Sequence, residues 1–554
     1  MRLNKVLIFV CICLFYQVSS AQDANTLSKG ETLDVVTWNL EWFGCPAKSN
    51  NATSFSQQLS EVSSKIIELD ADVYALQEVV NDRINGYFLE KLVEELNKNA
   101  APNKYAGFYS DKYSFYFNTP TTDFPSQTLC YIINTGTVGL VEEDAMFSGI
   151  YNGYNTMAIE GYEGTSTSFW VSGRLPYMLQ AIVSVDGKSQ LIDFVNIHAK
   201  CCDNGETRRG YDADYLYGAM VNDYADDNVI LLGDYNDDME YINPYGLWYA
   251  NDNEFFKDVA GEGIDHISLS NELYDEYDPL TNNEVVKTVE ISDHDPVMIR
   301  LLLNDARQPQ TISIEQVEDQ DPGASISFSA LATSGLAVEY SVLKGEIELN
   351  GNQALLNTAG EVVVQAVQRG DGAYAPAFSR VISFQVGKKS QTIDFEPIEN
   401  KTVVDDPFVL VATASSGLPV VYELVEGNVT IEGDLVTIED KGQVIIKAVQ
   451  VGDHNYEAAE ATQAFMVEDK DGIEDEYAAK VKLFPNPATS NVYLKLPDST
   501  PKLIELYNIS GAKIKSLQAY DEANVDVSQL CNGIYFIQIV KDNFRVTKKI
   551  QVNR

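Results

Sequence analysis

Six short motifs in the first three hundred residues carry side chains that bind hard cations or move protons. In chain order they are Trp38-Asn39-Leu40-Glu41, Leu76-Gln77-Glu78, Asn196-Ile197-His198, Gly233-Asp234-Tyr235-Asn236, Ile264-Asp265-His266 and Ser292-Asp293-His294-Asp295-Pro296. Asp, Glu and Asn oxygens suit Mg²⁺, Mn²⁺ or Ca²⁺, and no set of thiolates competes for a softer metal. Each motif is weak evidence alone, but their order, mostly at the ends of apolar runs, predicts metal-dependent hydrolysis of a phosphate ester.

Two histidines supply the proton transfers that this chemistry needs. The attacking water must lose a proton, and the leaving oxygen must gain one. Imidazole titrates near neutral pH, so His198 and His294 are the candidates. His266 follows Asp265 along a predicted strand and points to the opposite face, which predicts a structural role. His454 lies in a repeated segment far along the chain.

The motifs lie on interleaved strand-like and helical patterns between about residues 31 and 303. The predicted elements include strands at Leu33–Trp38, Val73–Leu76, Leu191–Ile197 and Asn228–Leu232 and an amphipathic helix at Phe55–Leu69. This alternation predicts an α/β (α+β) catalytic domain over residues 30–304, with packed sheets inside and helices outside.

Two similar segments follow Asp305, where helical periodicity ends. Gln310-Thr311-Ile312 recurs as Gln391-Thr392-Ile393, and Thr333-Ser334-Gly335-Leu336 recurs as Ser415-Ser416-Gly417-Leu418. A repeat of roughly 80 residues with short alternating strands predicts β-sandwiches at 305–388 and 389–468. The segments resemble bacterial Ig-like repeats, which implies a role as spacers or, alternatively, in adhesion.

Both ends of the chain carry export features. Arg2 and Lys5 precede an apolar run and a small-residue cleavage site, which predicts a signal peptide at 1–21. A charged linker is predicted at 469–480. Residues 481–554, which begin near Leu483-Phe484-Pro485-Asn486-Pro487, closely resemble the C-terminal sorting domain of type IX secretion. This resemblance implies a third all-β sandwich module, that secretion machinery as a partner, and a secreted or surface-attached enzyme.

Composition limits the partners of the chain. Its net charge of −43 argues against tight, undirected adhesion to nucleic acid but not against a brief substrate contact. No segment after the signal is long and apolar enough to span a bilayer, so stable membrane insertion is not expected. The chain is expected to be a monomer. Four cysteines of the predicted catalytic domain allow one or two disulfides in an exported protein, with the pairing undetermined: Cys45, Cys130, Cys201 and Cys202.

The segment from Leu33 to Leu303 resembles the endonuclease/exonuclease/phosphatase superfamily, which includes deoxyribonuclease I-like enzymes, abasic-site endonucleases, phosphatases and sphingomyelinases. The motifs above occur in the family's order. The resemblance implies a four-layer β-sandwich and a bound divalent cation. It implies three metal ligands, namely Asn39, Glu78 and Asp293.

The same resemblance implies roles for the proton carriers and their neighbours. His198 and His294 would form the acid–base pair, in an order that the sequence leaves open, and Asp265 would orient His294. Asp234 and Asn236 would position the water and the phosphate.

Three further residues are predicted near the substrate, together with one partner for a histidine. Arg174 resembles the family's phosphate-contacting arginine, and Asn196 is predicted to contact the substrate. Tyr109 and Asp111 lie in a segment that resembles the deoxyribonuclease region in which a tyrosine enters the minor groove and a carboxylate orients the first histidine, here His198.

These features predict a secreted, divalent-metal-dependent phosphodiesterase, a DNA endonuclease of low sequence specificity that acts on extracellular DNA. The chain departs from the deoxyribonuclease pattern at one position that concerns DNA binding, because Val79-Val80 stand where the deoxyribonuclease has an arginine for the minor groove. Phosphomonoesterase or sphingomyelinase-type phospholipase C activity is the alternative, although no exposed apolar aromatic hairpin for membrane docking is evident. An alternative of another class is a surface adhesin with an inactive catalytic-like domain.

Overall fold

The structure is a computed structural model that describes residues 30–114, 120–152, 155–201, 205–239, 243–246, 248, 255–274, 285–286, 289–541 and 544–554. The predicted signal peptide and Cys202 lie outside these residues. The chain forms two compact units, which divide between Gly387 and Lys388. None of the helices described is long and apolar enough to cross a membrane.

The region predicted as the catalytic domain has mixed secondary structure. Its strands are β1 (Leu33–Phe43), β2 (Val73–Val79), β3 (Asn81–Asp82), β4 (Gly86–Tyr87), β5 (Tyr105–Tyr113), β6 (Thr128–Asn134), β7 (Val138–Ala145), β8 (Tyr151–Asn152), β9 (Asn155–Thr156), β10 (Tyr177–Val185), β11 (Lys188–His198), β12 (Val229–Asp234), β13 (Phe256–Glu262), β14 (Asp265–Ser270), β15 (Val285–Val286) and β16 (Val297–Leu301). Its helices are α1 (Phe55–Leu69), α2 (Phe88–Asn99), α3 (Gly205–Asp223) and the single turn α4 (Asn271–Tyr274).

Two six-stranded sheets stack face to face at the centre of this region. Their strand orders are β15-β16-β1-β2-β6-β5 and β13-β14-β12-β11-β10-β7. Apolar side chains such as Val35 and Phe194 fill the space between the sheets. Helices α1 and α2 cover the outer face of the first sheet, and α3 covers the outer face of the second. This helix–sheet–sheet–helix layering confirms the predicted fold class.

The predicted amphipathic helix α1 has the expected boundaries. Its N-cap, Ser54, accepts a hydrogen bond from the Gln57 backbone N–H, and Asp70 ends the helix in a left-handed conformation. Val62 and Ile66, four residues apart, are buried against the sheet because they share one helix face.

The first Ig-like repeat consists of short strands. They are β17 (Ile312–Ile314), β18 (Ser325–Ser327), β19 (Ala330–Ala332), β20 (Glu339–Lys344), β21 (Glu348–Asn350), β22 (Gln353–Leu355), β23 (Gly360–Gln368), β24 (Ala377–Phe378) and β25 (Ile382–Val386). The repeated motifs meet in space, since Ser334 Oγ donates to Gln310 Oε1 and Gln310 Nε2 donates to Gln368 Oε1. This network explains why those residue types recur at matching positions in the second repeat.

The first repeat packs directly on the catalytic region. Leu343 and Val363 join the core between the two sheets. The Phe378 side chain lies so close to Gly139 of β7 that a Cβ there would stand 2.6 Å from it. Ser341 Oγ donates to the Leu140 carbonyl at 2.5 Å. This repeat is therefore not a detached spacer, because it closes one end of the inter-sheet core.

The second repeat lies in the other unit, and the position that corresponds to Leu343 is exposed there. Its strands are β26 (Ile393–Phe395), β27 (Lys401–Thr402), β28 (Phe408–Val409), β29 (Ala412–Ala414), β30 (Val421–Glu426), β31 (Val429–Glu432), β32 (Leu435–Ile438), β33 (Gly442–Gln450) and β34 (Ala459–Glu468). Val425 corresponds to Leu343, because each stands two residues before a glycine, Gly427 or Gly345. Val425 is 57% exposed, whereas Leu343 is 6% exposed. The two repeats have thus diverged on one face.

We propose that the catalytic domain ends functionally at Gly387 and not at residue 304. A protein of residues 30–304 is expected to lose stability relative to one of residues 30–387. Leu343 and Val363, which are both buried, each contribute on the order of 1.5–3 kcal/mol of apolar burial. Thermal unfolding of the two proteins measures this difference. Equal melting temperatures and equally cooperative transitions would contradict the proposal.

The last module is an all-β sandwich, as predicted. Its strands are β35 (Lys482–Phe484), β36 (Asn491–Lys495), β37 (Lys502–Asn508), β38 (Lys513–Ala519), β39 (Glu522–Asp526), β40 (Gly533–Lys541) and β41 (Phe544–Val552). The segment predicted as a linker forms a helix, α5 (Lys470–Lys480), instead. Tyr477 anchors this helix in the apolar core of the module, and Lys480 pairs with Glu476 one turn earlier.

Candidate active site

Three adjacent strands of the second sheet place three motif residues in one row. Strand β12 lies between β11 and β14, and the register sets His198 opposite Asp234 and Asp234 opposite Asp265. Residues opposite each other on neighbouring strands share a face and have Cβ atoms about 4.5–5.5 Å apart. Gly233 permits this row, because a Cβ at its φ of +142° would stand 2.0 Å from the Ile197 carbonyl oxygen.

The first sheet contributes the residues that face this row. Strands β1 and β2 are parallel, so Asn39 and Glu78 project from the same end of the sheet. Asn39 Nδ2 donates to Asp234 Oδ2 at 3.0 Å and joins the two sheets at this point. The Trp42 backbone N–H donates to Glu78 Oε2 at 3.3 Å.

His294 lies on the loop before β16 and pairs with Asp265. The distance from its Nδ1 to Asp265 Oδ2 is 2.5 Å, which leaves Nε2 as the ring atom free to act on a ligand. Its backbone is fixed because Trp38 Nε1 donates to the His294 carbonyl at 3.0 Å. Burial lowers the pKa of His294, but the hydrogen bond and charge of Asp265 outweigh burial and raise it to about 9.

His198 is buried on the other side of the carboxylates. Its Nε2 lies 3.2 Å from Asp234 Oδ2 and 3.7 Å from Glu78 Oε1. Burial and the nearby Arg174 charge hold the pKa of His198 well below its usual range. The predicted partner Asp111 is not brought here: it is largely exposed and pairs with Lys112 at 2.5 Å. Within the described residues, Nδ1 of His198 has no hydrogen-bond partner.

The carboxylates of this pocket are crowded and poorly hydrated. Burial raises the pKa of Glu78. Burial and the charge of Asp265 raise the pKa of Asp234 to about 6. Buried carboxylates at close quarters repel each other, and a divalent cation bound by their oxygens would relieve that repulsion.

The donor set fits a hard cation. Ligand atoms of Asp234, Asp265 and His294 lie within 4.8 Å of one another. Asp265 Oδ1 is buried, and no described residue forms a hydrogen bond with it. Each of the three predicted ligands touches this pocket, since Asn39 bonds to Asp234, Glu78 lies beside His198, and Asp293 Oδ1 is 3.7 Å from His294 Nε2. The last residue of the Gly-Asp-Tyr-Asn motif, Asn236, also lies here, with its backbone N–H donating to Asp234 Oδ1 at 2.9 Å.

Arg174 supports the His198 segment from behind. Its Nε donates to the His198 carbonyl at 3.0 Å and an Nη donates to the Ala199 carbonyl at 3.1 Å. The other Nη donates to Gln127 Oε1 at 3.0 Å. The side chain is only 3% exposed. Three of the five guanidinium N–H groups thus bind protein acceptors and support the His198 segment, and the phosphate contact of Arg174 stays a prediction.

A strained turn, Trp170–Gly173, leads into Arg174. Val171 and Ser172 have φ values of +54° and +64°, a left-handed conformation that is unfavourable for a β-branched residue. Asp212 of α3 stabilises the turn, since its Oδ1 accepts hydrogen bonds from the Trp170 N–H at 3.2 Å and the Tyr162 hydroxyl at 2.6 Å. Burial raises the pKa of Asp212 to about 7.

Asp212→Asn is expected to flatten the pH dependence of stability. Because the folded pKa exceeds the unfolded value of about 3.9, the protonated carboxyl contributes stability that is complete below about pH 4 and lost as the pH rises through 7. Asparagine keeps the acceptor oxygen but does not titrate. Melting temperatures measured from pH 4 to 8 should therefore fall less in Asp212→Asn than in the wild type. The exposed Asp223→Asn on the same helix is the control, and identical slopes in all three proteins would contradict the assignment.

Two other predicted substrate contacts lie away from the pocket. Asn196 is fully buried between the sheets, where its Nδ2 donates to the Leu76 and Cys130 carbonyls and its Oδ1 accepts from Gln77. It links the two sheets through these hydrogen bonds, and its contact with a substrate stays a prediction. Tyr109 pairs with Cys130 on β6 and lies beside α2, on the helix-covered face of the sheet, so it does not project from the catalytic end.

His266 has contacts that fit its predicted structural role, and two other motif residues have contacts that the sequence did not indicate. His266 Nε2 lies 3.1 Å from the Asp237 carbonyl, and its Nδ1 lies 3.3 Å from Asp258. Gln77 and Ser292 were not singled out, although both lie inside the motifs. Ser292 Oγ donates to the Asn39 carbonyl at 2.7 Å and so ties the His294 loop to β1. Among the described cysteines no disulfide forms.

Comparisons with known proteins agree with this geometry. Residues 36–294 match the model of the Endonuclease/Exonuclease/phosphatase family, and residues 482–553 match the Secretion system C-terminal sorting domain. No curated protein matches the chain.

Several solved structures are similar to part of the chain. The human Nocturnin catalytic domain with bound sulfate is 12% identical and has a TM-score of 0.33, covering 49% of this chain and 93% of its own. An endonuclease/exonuclease/phosphatase from Bacteroides vulgatus is 14% identical with a TM-score of 0.33, covering 49% and 99%. Bacteroides thetaiotaomicron mannosyl-6-phosphatase is 14% identical with a TM-score of 0.33, covering 49% and 100%.

Proposed function

Because residues 36–294 belong to the Endonuclease/Exonuclease/phosphatase family, whose members hydrolyse phosphate esters, we propose that the chain is a divalent-metal-dependent phosphodiesterase that nicks extracellular DNA. The sorting domain at residues 482–553 directs the chain through type IX secretion to the cell surface or the medium. Polymeric DNA released from cells is an abundant phosphodiester in that location.

The observation that carries this proposal is the arrangement of two histidines around buried carboxylates. Nε2 of His198 faces Asp234 and Glu78, and Nε2 of His294 is left free by the Asp265 contact at Nδ1. A phosphate in this pocket would have one imidazole for the attacking water and another for the leaving oxygen. In-line displacement needs both proton transfers, and their order stays open.

Each residue has a stated task in this reaction. Glu78, Asn39 and Asp293 would hold the cation, which when bound offsets the charge that develops on the phosphate oxygens. Asp234 and Asn236 would orient the water and the phosphate. Asp265 keeps the proton of His294 on Nδ1 in the neutral ring, so that Nε2 presents a lone pair or, in the charged ring, a proton.

Substrate class is tested with three substrates under identical conditions, namely supercoiled plasmid, p-nitrophenyl phosphate and sphingomyelin vesicles, each with Mg²⁺, Mn²⁺ or Ca²⁺. The proposal predicts the highest kcat/KM on plasmid, with open-circular DNA as the first product. Faster hydrolysis of the monoester or of sphingomyelin would move the function to the phosphatase or phospholipase branch of the same family.

A further inference from the structure

Beside the candidate active site lies an aromatic and cationic surface that the reaction above does not use. Lys48 Nζ is 5.9 Å from the centroid of the Trp42 ring and 5.4 Å from the centroid of the Phe124 ring. Phe124 is 76% exposed, Lys48 is exposed and Trp42 is half-buried. These three residues are named the ring site.

The ring site borders the catalytic pocket at two points. The backbone N–H of Trp42 donates to the Glu78 carboxylate, so the main chain of Trp42 lies next to a predicted metal ligand. Gln127, three residues after Phe124, accepts a hydrogen bond from Arg174, which in turn contacts the His198 carbonyl. A ligand with its phosphate in the pocket would extend over these rings.

The loop that carries Lys48 is fixed by a buried carboxylate. Glu41 Oε1 accepts a hydrogen bond from the Asn50 backbone N–H at 2.6 Å. Its Oε2 accepts from Ser49 Oγ at 3.1 Å and from Asn51 Nδ2 at 3.0 Å. Glu41 is the last residue of the first motif, and these contacts assign it a task in shaping this loop.

The loop that carries Phe124 is fixed in the same way. Asp82 Oδ2 accepts hydrogen bonds from the backbone N–H and the Oγ of Ser126, both at 3.0 Å. Asn85 Nδ2 donates to the Thr121 carbonyl at 3.2 Å, and the Phe124 N–H donates to the same carbonyl at 3.2 Å. The exposed ring is therefore presented on an ordered turn, which lowers the entropic cost of binding.

We propose that the ring site binds the nucleotide adjacent to the scissile phosphate, and that the enzyme consequently prefers single-stranded or unpaired DNA. This inference rests on the proposed function. A bound base would stack on the rings of Phe124 and Trp42 in place of the Lys48 ammonium, which would move from the rings to a flanking phosphate. Bases within a duplex already stack on each other and offer no free face, so the ring site favours an unpaired strand.

A membrane surface fits the ring site less well. Membrane docking buries a contiguous apolar patch, whereas here an ammonium stands between the two rings. Asp123, next to Phe124, is exposed and would have to approach the lipid. Ile84, which is 53% exposed on the loop that Asp82 fixes, is the apolar residue that a lipid contact would use but base stacking would not.

Phe124→Ala tests the proposal by steady-state kinetics on a 20-nucleotide single strand and on the same sequence as a duplex, with Mg²⁺ and the full chain lacking its signal. KM for the single strand should rise about 10- to 100-fold, the usual effect of losing one stacked base. The ratio of duplex KM to single-strand KM should fall toward one. Phe124→Trp should restore the wild-type ratio, and Lys48→Gln should raise KM with a weaker dependence on salt.

The control is Ile84→Ala, which should keep the wild-type KM for both forms of DNA. If the wild type cleaves DNA and Phe124→Ala leaves the KM ratio unaltered, the ring-site inference is overturned while the endonuclease function stands. If the wild type cleaves neither form, the proposed function itself fails. If Phe124→Ala and Ile84→Ala both lose binding to sphingomyelin vesicles and DNA kinetics do not change, the surface docks on lipid and the inference is overturned. Melting temperatures of the variants show that each is folded.

Discussion

His294→Ala is expected to lower kcat on DNA by about 10²–10⁴, the usual loss when a general acid or base is removed. Asp265 Oδ2 holds His294 Nδ1 at 2.5 Å, and Trp38 fixes its carbonyl, so Nε2 is held in one position at the pocket. Alanine removes Nε2 of His294, the ring atom that the His294–Asp265 pair presents to a substrate. The loss should fall mainly in kcat, because proton transfer occurs in the transition state and not in substrate binding.

His454→Ala is the matched control for this change. His454 is exposed on the second Ig-like repeat, so its removal should leave kcat and KM unaltered. A thermal melt of each protein separates lost chemistry from lost folding, since Asp265 would remain buried without its partner in His294→Ala. A folded His294→Ala enzyme with less than a tenfold loss would show that the histidine is not the proton carrier.

Glu78→Gln is expected to raise the Mg²⁺ concentration needed for half-maximal rate by about 10- to 100-fold. A hard cation binds carboxylate oxygens, and the amide has the same shape without the charge. The Glu78 carboxylate accepts a hydrogen bond from Trp42 and lies beside His198, so the change alters the charge of the pocket without removing a core side chain. The measurement is initial rate against Mg²⁺ concentration in both proteins.

Glu143→Gln is the control, because Glu143 is an exposed residue whose carboxylate accepts a hydrogen bond from Tyr177 outside the pocket. It should show the wild-type dependence on Mg²⁺. If Glu78→Gln shows that dependence too, Glu78 is not a metal ligand, and the cluster of Asp234, Asp265 and His294 becomes the candidate cation site.

The residues at the catalytic end of the sheets were predictable because they lie at the ends of strands that the local pattern of apolar residues indicates. His198 and Asp234 end the parallel strands β11 and β12, and Asp265 begins the neighbouring strand, so strand order alone sets them in one row. The pairing of Asp265 with His294 came from resemblance, and the structure places the two in contact.

Residues whose roles depend on long-range packing were not predictable. Asn196 is two residues from His198 and therefore on the same face of β11, but the first sheet packs over it, and carbonyls of β2 and β6 accept hydrogen bonds from its amide group. Arg174 follows a left-handed turn that no local propensity indicates, and the turn directs its guanidinium to backbone carbonyls. Asp111 points to solvent and Lys112, since a bulge separates Tyr109 from Tyr113 in the pairing of β5 with β6.

The Ig-like repeats show the same limit at the level of domains. Their repeated residues predict two similar sandwiches, and similarity suggests similar surroundings. Leu343 is nevertheless buried against the catalytic region while the corresponding Val425 is exposed, because docking depends on a surface more than two hundred residues earlier. Phe124 is a comparable case, since its exposure follows from contacts between Asp82 and Ser126.

Phosphodiester hydrolysis at this pocket is tested most directly by incubating supercoiled plasmid with the purified chain lacking its predicted signal peptide, in Mg²⁺ and in EDTA, beside His294→Ala. The geometry predicts open-circular DNA with Mg²⁺, no product with EDTA, and nicking at least a hundredfold slower in His294→Ala. Nicking in EDTA, or nicking by His294→Ala at the wild-type rate, would contradict the assigned site. Intact plasmid with a folded wild-type protein would contradict the assigned substrate.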